Sequence, residues 1–179
     1  ELLGHYQFDW RLTTNGSLLD EDMARLLVKN RIKSVFITLT GFSNSTEGFH
    51  KGGYSSFDAS LKAIYSCLRN NIPISLGYLA TPYNFREINQ FIDFCKSNSI
   101  PAKLMKVEMQ GNALLNKDLQ LSSSSFMDIL SSFRKQMGQF AILGEQSVPY
   151  EERFCSAGVF ACVVGFDYNV YPCVNFLGN

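Results

Sequence analysis

Two cysteines and several small polar residues carry the chemistry open to this sequence. Cys155 stands in Cys155-Ser156-Ala157-Gly158 and Cys173 closes Val170-Tyr171-Pro172-Cys173, so a hairpin between them brings two thiols to one end. Thiolates gathered in this way ligate zinc or an iron–sulfur cluster. The alternative is that both are small buried hydrophobes, as free cysteines often are. Cys67, Cys95 and Cys162 fit that alternative, two on inner helix faces and the third within an apolar strand. The polar set follows apolar runs: Thr13-Thr14-Asn15-Gly16, Thr38-Leu39-Thr40-Gly41, Thr81-Pro82-Tyr83-Asn84 and Glu108-Met109-Gln110-Gly111. Such residues hydrogen-bond polar ligands, and they equally serve turns and caps.

Other chemistries find little support. His5 and His50 are far apart and lack Cys, His or carboxylate neighbours at zinc-ligand spacing. No G-x-S-x-G elbow, P-loop or complete G-x-G-x-x-G occurs, which removes the motifs of hydrolases, phosphoryl transfer and dinucleotide binding. The four successive serines from Ser122 to Ser125 read as a polar linker that caps the following helix.

The elements that must hold these residues alternate between strand and helix. A strand over Phe8 to Thr14 is followed by the Asn15-Gly16 turn and a helix capped by Ser17 with Asp20, with Leu19, Met23, Leu26 and Leu27 inward and Asn30 at its end. Ser34 to Thr40 reads as a strand buried on both faces. The glycine-rich stretch from Gly41 to Ser56 exceeds the ~2 to 6 residues typical of such a loop, which marks it as a candidate functional loop. A helix buries Phe57, Leu61, Ile64 and Leu68, a strand spans Ile74 to Ala80, and Asn84 with Glu87 caps a helix with Ile88, Phe91, Ile92 and Cys95 inward. A fourth strand runs from about Ala102 to Met109, and a last helix turns Phe126, Ile129, Leu130 and Phe133 inward. Strands alternating with helices predict an α/β fold with parallel strands, whose sites lie at the carboxyl ends of those strands. From Gly138 onward helical periodicity disappears, and a hairpin is predicted between about Val159 to Val164 and Asn169 to Tyr171. The boundary is placed near residue 145, dividing the chain into 1–145 and 146–179.

Composition narrows the class. The 179 residues are 46% hydrophobic and 18% charged, enough for a sizeable core, and 16 basic residues balance 16 acidic ones. Neutrality removes the electrostatic footprint of nucleic-acid or anionic-membrane binding, so neither partner is expected. The most apolar stretch, Ala157 to Phe166, is far short of the roughly 18 residues of a membrane span, and five scattered cysteines fit a reducing cytoplasm better than a disulfide framework. The chain begins without Met and ends just after the Cys173 segment, so it is expected to be an internal piece of a longer protein.

Taken together, these segments resemble the radical S-adenosylmethionine enzymes with a SPASM-type auxiliary cluster domain, a family that includes peptide maturases and anaerobic sulfatase maturases. Arg11-Leu-Thr-Thr-Asn-Gly-Ser-Leu-Leu is similar to the third barrel strand and its "TNG" turn, and Ile37-Thr-Leu-Thr-Gly41 to the fourth strand's "iSLdG". His50, Ser56 and Phe57 resemble the "H…sF" segment, and Thr81-Pro-Tyr-Asn84 the "t..N" after the fifth strand. Cys155 through Cys173 is similar to "C.aG … dG.vyPC", with twelve residues between Cys155 and Tyr168 and four between Tyr168 and Cys173.

The resemblance implies strands three to six of a partial (β/α)6 TIM-like barrel, then the start of a SPASM domain. It implies [4Fe-4S] clusters and S-adenosylmethionine as cofactors, with Thr38, Asn84 and Thr40 near S-adenosylmethionine, and Cys155 and Cys173 as part of an auxiliary-cluster ligand set. The family's CxxxCxxC and "GGE"-like motifs do not occur in these residues, so no catalytic residue is assigned here and the chain alone is expected to be inactive. The implied partners are a peptide or protein substrate and a reductant such as flavodoxin or ferredoxin. Three positions depart from the pattern: Thr40 replaces an acidic residue, Tyr54 stands near a usual arginine, and Tyr168 replaces the hairpin glycine, where positive φ is expected. These departures also admit a binding or scaffold module that keeps the barrel without the radical site.

Overall fold

Four short apolar runs pair side by side into one sheet. The computed structural model describes residues 9–50, 57–108, 111–142, 162–165 and 167–173. Strands β1 (Arg11–Thr14), β2 (Ser34–Leu39), β3 (Ile74–Ala80) and β4 (Ala102–Lys106) are parallel and ordered as in the sequence, and Ala141 adds a parallel bridge to Ala102. Helices α1 (Glu21–Lys29), α3 (Phe57–Arg69), α4 (Ile88–Ser97) and α5 (Ser123–Met137) make the crossings, while α2 (Asn44–His50) lies inside the long loop after β2. The strand order never reverses, unlike that of doubly wound sheets. Among the described residues the sheet stays open, with β1 paired to β2 alone.

The two faces of the sheet differ. Val35, Ile37, Leu39, Leu76, Tyr78 and Leu104 point to the helices and are buried, whereas Ser34, Phe36 and Thr38 on the other face of β2 are half-buried. Burial of β2 on both faces is therefore corrected: its residues alternate, because the helices cover one face only. Gly77 is needed on the open face, where a Cβ would stand 2.5 Å from the Phe36 ring and 2.9 Å from the Met105 methyl.

Three helices end in the same way. Asn30-Arg31-Ile32, Asn70-Asn71-Ile72 and Asn98-Ser99-Ile100 each place the middle residue at positive φ (60°, 55° and 54°). The isoleucine N–H then reaches back to Leu27, Cys67 or Cys95 O, at 3.1, 3.0 and 2.8 Å. Each asparagine side chain donates to the carbonyl four residues earlier at 2.8 Å. This is a Schellman-type closure, and it turns each helix directly into the next strand. Three of the four crossings thus share one Asn-x-Ile device.

Helix starts depart from expectation. Asp20, not Ser17, caps α1, accepting from Met23 N at 3.0 Å. Ser17 instead bonds Asn15 Oδ1 through both its N–H and its hydroxyl, in a turn where Gly16 has φ 80°. With Leu19 lying before the helix, the inward face of α1 becomes Ala24 and Leu27, and Met23 and Leu26 are 40% and 42% exposed. Asn84 makes no cap bond, and a short 3-10 turn, Phe85–Glu87, leads into α4. Ser122 caps α5 as expected, accepting from Ser125 N at 3.1 Å.

The chain divides into two compact units, 1–142 and 143–179. In the second, β5 (Val163–Val164) and β6 (Val170–Tyr171) pair antiparallel. Their turn is closed by Gly165 N to Asn169 O at 2.8 Å and Tyr168 N to Gly165 O at 3.0 Å, with Tyr168 at φ 62°. The expected strand residues from Val159 to Ala161 lie outside the described residues.

Candidate functional site

The carboxyl ends of β2 and β3 are roofed by α2, and two carboxylates hold the roof in place. Glu47, fully buried, accepts from Thr40 N at 2.6 Å, Thr40 Oγ1 at 3.0 Å and Ser60 Oγ at 3.0 Å. Glu87 accepts from Phe42 N at 2.6 Å, Ser43 Oγ at 2.9 Å and Thr46 Oγ1 at 2.7 Å. A buried carboxylate is tolerated only when it is hydrogen-bonded, and these are charge-assisted bonds, the strong kind. The fit is close enough to require Gly41, where a Cβ would come within 2.3 Å of Thr46 Oγ1 and 2.4 Å of Glu47 N.

Asn84 bolts the two strand ends together. Its Oδ1 accepts from Thr81 N at 2.8 Å, and its Nδ2 donates to Thr40 O and Leu79 O, both at 2.8 Å. Both amide protons are used, so the side chain acts on its neighbours' backbone. Its own carbonyl accepts from the Tyr78 hydroxyl at 2.9 Å. Burial, and next the charges of Glu87 and Glu47, push the Tyr78 phenol well above its ordinary range, so it stays protonated.

His50 ends α2 against this cluster. Nδ1 lies 2.7 Å from Thr46 O, which accepts only, so that nitrogen carries the proton. In the neutral ring Nε2 then accepts from Thr81 Oγ1 at 3.0 Å. Phe49 and Tyr83 flank the imidazole at centroid distances of 5.1 and 6.4 Å and form a half-exposed aromatic rim. Tyr83 donates to Asp118 at 2.6 Å, which pushes its phenol upward.

Of the residues singled out in the sequence, Thr40 and Asn84 meet at one hydrogen bond, and Thr38 lies one step down β2 on the open face, in register with Gly77. Cys173 belongs to the second unit and is half-buried, and Cys155 lies outside the described residues. Burial pushes the Cys67 and Cys95 thiols up to about 11 and about 12, which keeps them protonated as core residues. Cys162 departs from that group: it is exposed, because it precedes the short strand β5. Among the described residues, no three His, Cys, Asp or Glu side chains gather as metal ligands. No described helix is long and apolar enough to cross a membrane.

Glu47, Ser60 and the reach of Glu87 are not legible as site residues in the sequence pattern. A signal did exist: within Asn44–His50, Thr46 and Glu47 lie four and three residues before His50, which is the spacing of one helix face.

No protein-family model matches the chain. Among curated proteins, Fe-coproporphyrin III synthase of Methanosarcina barkeri, a radical S-adenosylmethionine enzyme, is 28% identical over 116 residues, 63% of this chain and 29% of that protein. The chain is related to the radical S-adenosylmethionine enzymes. Solved structures of anSMEcpe share the fold. With bound AdoMet and Kp18Cys peptide, anSMEcpe matches at a TM-score of 0.65 and 18% identity, over 93% of this chain and 51% of that one. With AdoMet alone the TM-score is 0.54 at 17% identity, over 70% and 35%. The chain thus spans between 29% and about half of the length of these radical S-adenosylmethionine relatives.

Proposed function

We propose that this chain is part of a radical S-adenosylmethionine enzyme of SPASM type that modifies a peptide or protein by hydrogen-atom abstraction. The observation that carries this reading is the meeting of Thr40 and Asn84 at adjacent parallel strand ends, with Thr38 just below on the open face. The donor set fits the cofactor in part. Thr38 is half-buried on the open face, and its hydroxyl is of a kind suited to hydrogen-bond S-adenosylmethionine. Thr40 and Asn84 serve it by position, since their side chains are engaged by Glu47 and by the backbone.

When bound, S-adenosylmethionine and a reduced [4Fe-4S] cluster supply the hydrogen-abstracting chemistry, with electrons from a flavodoxin or ferredoxin. Cys155 and Cys173 contribute to an auxiliary cluster in the second unit. The relative's name, Fe-coproporphyrin III synthase, brings in a second substrate class, a tetrapyrrole. The test is a strictly anaerobic assay of the full natural gene product with dithionite. Formation of 5′-deoxyadenosine is the expected result. Its absence from a cluster-loaded preparation overturns the enzyme reading and leaves the scaffold module, to which the internally bonded Thr40 and Asn84 also lend support.

A further inference from the structure

At the end of β1 the fold demands a glycine directly after an asparagine. Gly16 has φ 80°, and a Cβ there would stand 3.1 Å from the Ala63 Cβ, so glycine suits the position on two counts. An asparagine followed by glycine exposes its side-chain amide to attack by the next backbone nitrogen, because no Cβ shields that nitrogen.

The groups around this pair are set out as for acyl transfer. Asn15 Oδ1 accepts from Ser17 N at 3.0 Å and from Ser17 Oγ at 2.9 Å. Two donors on one carbonyl oxygen draw charge from Cγ and stabilise the oxyanion that forms when Cγ is attacked. To reach Ser17 the side chain folds over Gly16, which holds Cγ beside the Gly16 nitrogen. Gly16 N donates to Thr14 Oγ1 at 3.0 Å, an acceptor for the proton that this nitrogen must lose. The Ser60 hydroxyl donates to Asn15 O at 3.3 Å and steadies the connecting peptide. Asn15 is exposed, so water has access to it.

We infer that Asn15 is a self-modification site, at which the folded chain converts the asparagine to aspartate or isoaspartate. Gly16 N passes its proton by way of Thr14 Oγ1 to water and bonds to Asn15 Cγ, while Oδ1 takes the negative charge against the two Ser17 donors. The Cγ–Nδ2 bond then breaks, Nδ2 takes up a proton from solvent and leaves as ammonia, and a cyclic imide remains. Water opens the imide at either carbonyl. The sum is one water in and one ammonia out, with no change of oxidation state. Aspartate at this position keeps both Ser17 bonds as charge-assisted ones, so the turn accommodates the product. The carboxyl end of β1 thereby gains a negative charge that the coding sequence does not specify. The inference does not depend on the function proposed above.

The experiment incubates the full natural gene product in mildly alkaline buffer made with heavy-oxygen water, folded and in urea, and reads the label by mass spectrometry in the tryptic peptide from Leu12 to Arg25. Labelled aspartate and isoaspartate at position 15 are expected to accumulate about tenfold faster in the folded protein than in urea. Ser17→Ala removes the hydroxyl donor and is expected to slow the folded reaction about tenfold without changing the rate in urea. Ser17→Thr keeps the hydroxyl and is expected to keep the rate. Labelling that is as fast in urea as in the folded protein, or faster, overturns the inference, and so does a folded Ser17→Ala variant that reacts as fast as wild type. If Ser17→Ala does not fold, the comparison of folded and urea-treated wild type decides alone.

Discussion

At the end of β2 the Glu47 carboxylate gathers one N–H and two hydroxyls, from Thr40 and Ser60, whereas in the hairpin turn Asp167 gathers the N–H and side-chain amide of Asn169 and the Tyr171 hydroxyl. The two devices look alike on paper. Their surroundings differ, since Glu47 is fully buried and Asp167 is exposed. Water takes over as acceptor for the donors that bond Asp167 when that side chain is removed, whereas the buried donors that bond Glu47 are cut off from water. The comparison teaches that a hydrogen-bond pattern acquires its energetic weight from desolvation.

The largest effects are expected where that weight is greatest. Glu47→Ala strands the Thr40 N–H and is expected to lower the unfolding free energy by about 3 kcal/mol in urea melts. Glu47→Gln keeps the acceptor toward Thr40 and offers an amide to Ser60 Oγ, so a loss of about 1 kcal/mol is expected. Gly41→Ala presses a methyl into Glu47 N and Thr46, and a cost of about 3 kcal/mol is expected. Equal stability of Glu47→Ala and wild type would break the comparison outright.

Next comes Asn84→Ala, with a loss of about 2 kcal/mol, since it leaves Thr81 N unpaired. Asn84→Asp is expected to be worse near neutral pH, where a carboxylate would face two carbonyls, and to recover as acid protonates it; melts across pH separate the two variants. Gly77→Ala meets only the tips of two side chains, so about 1 kcal/mol is expected.

Asp167→Asn should be the smallest. The Tyr171 hydroxyl, followed by Asn169, holds the Asp167 carboxyl below its ordinary range. A depressed carboxylate contributes stability above its unfolded-state value and loses it as pH falls through the folded one. Because the group is exposed, the thermal midpoint near neutrality should not move beyond error, and only a weak slope below about pH 4 should flatten. A clear drop at neutral pH would put the exposed turn on the same footing as Glu47.

Much of the framework was legible locally. The bounds of β3 at Ile74–Ala80, the Ser122 cap and the inward Phe126, Leu130 and Phe133 follow from adjacent residues. The Asn-x-Ile closures are equally local, and the sequence reading marks the first of them, at Asn30, as a helix end. The apolar spacing places Leu19 on the stripe of α1, but Leu19 lies before the helix, and the inward face shifts to Ala24 and Leu27. Asn84 reads as a cap from its neighbours alone, because its preferred local use outweighs a partner 44 residues away, Thr40 O. Glu47 carries no local signal for the same reason, since Ser60 lies 13 residues on.

By itself the sequence determined the alternation of strand and helix, the parallel α/β class and the places where polar residues must follow apolar runs, since periodicity records which side of an element is apolar. Which buried donor meets which buried acceptor was decided only by the tertiary structure. That pairing depends on strand register and on the path of the loop between Gly41 and His50, and hydrophobic spacing carries no record of either.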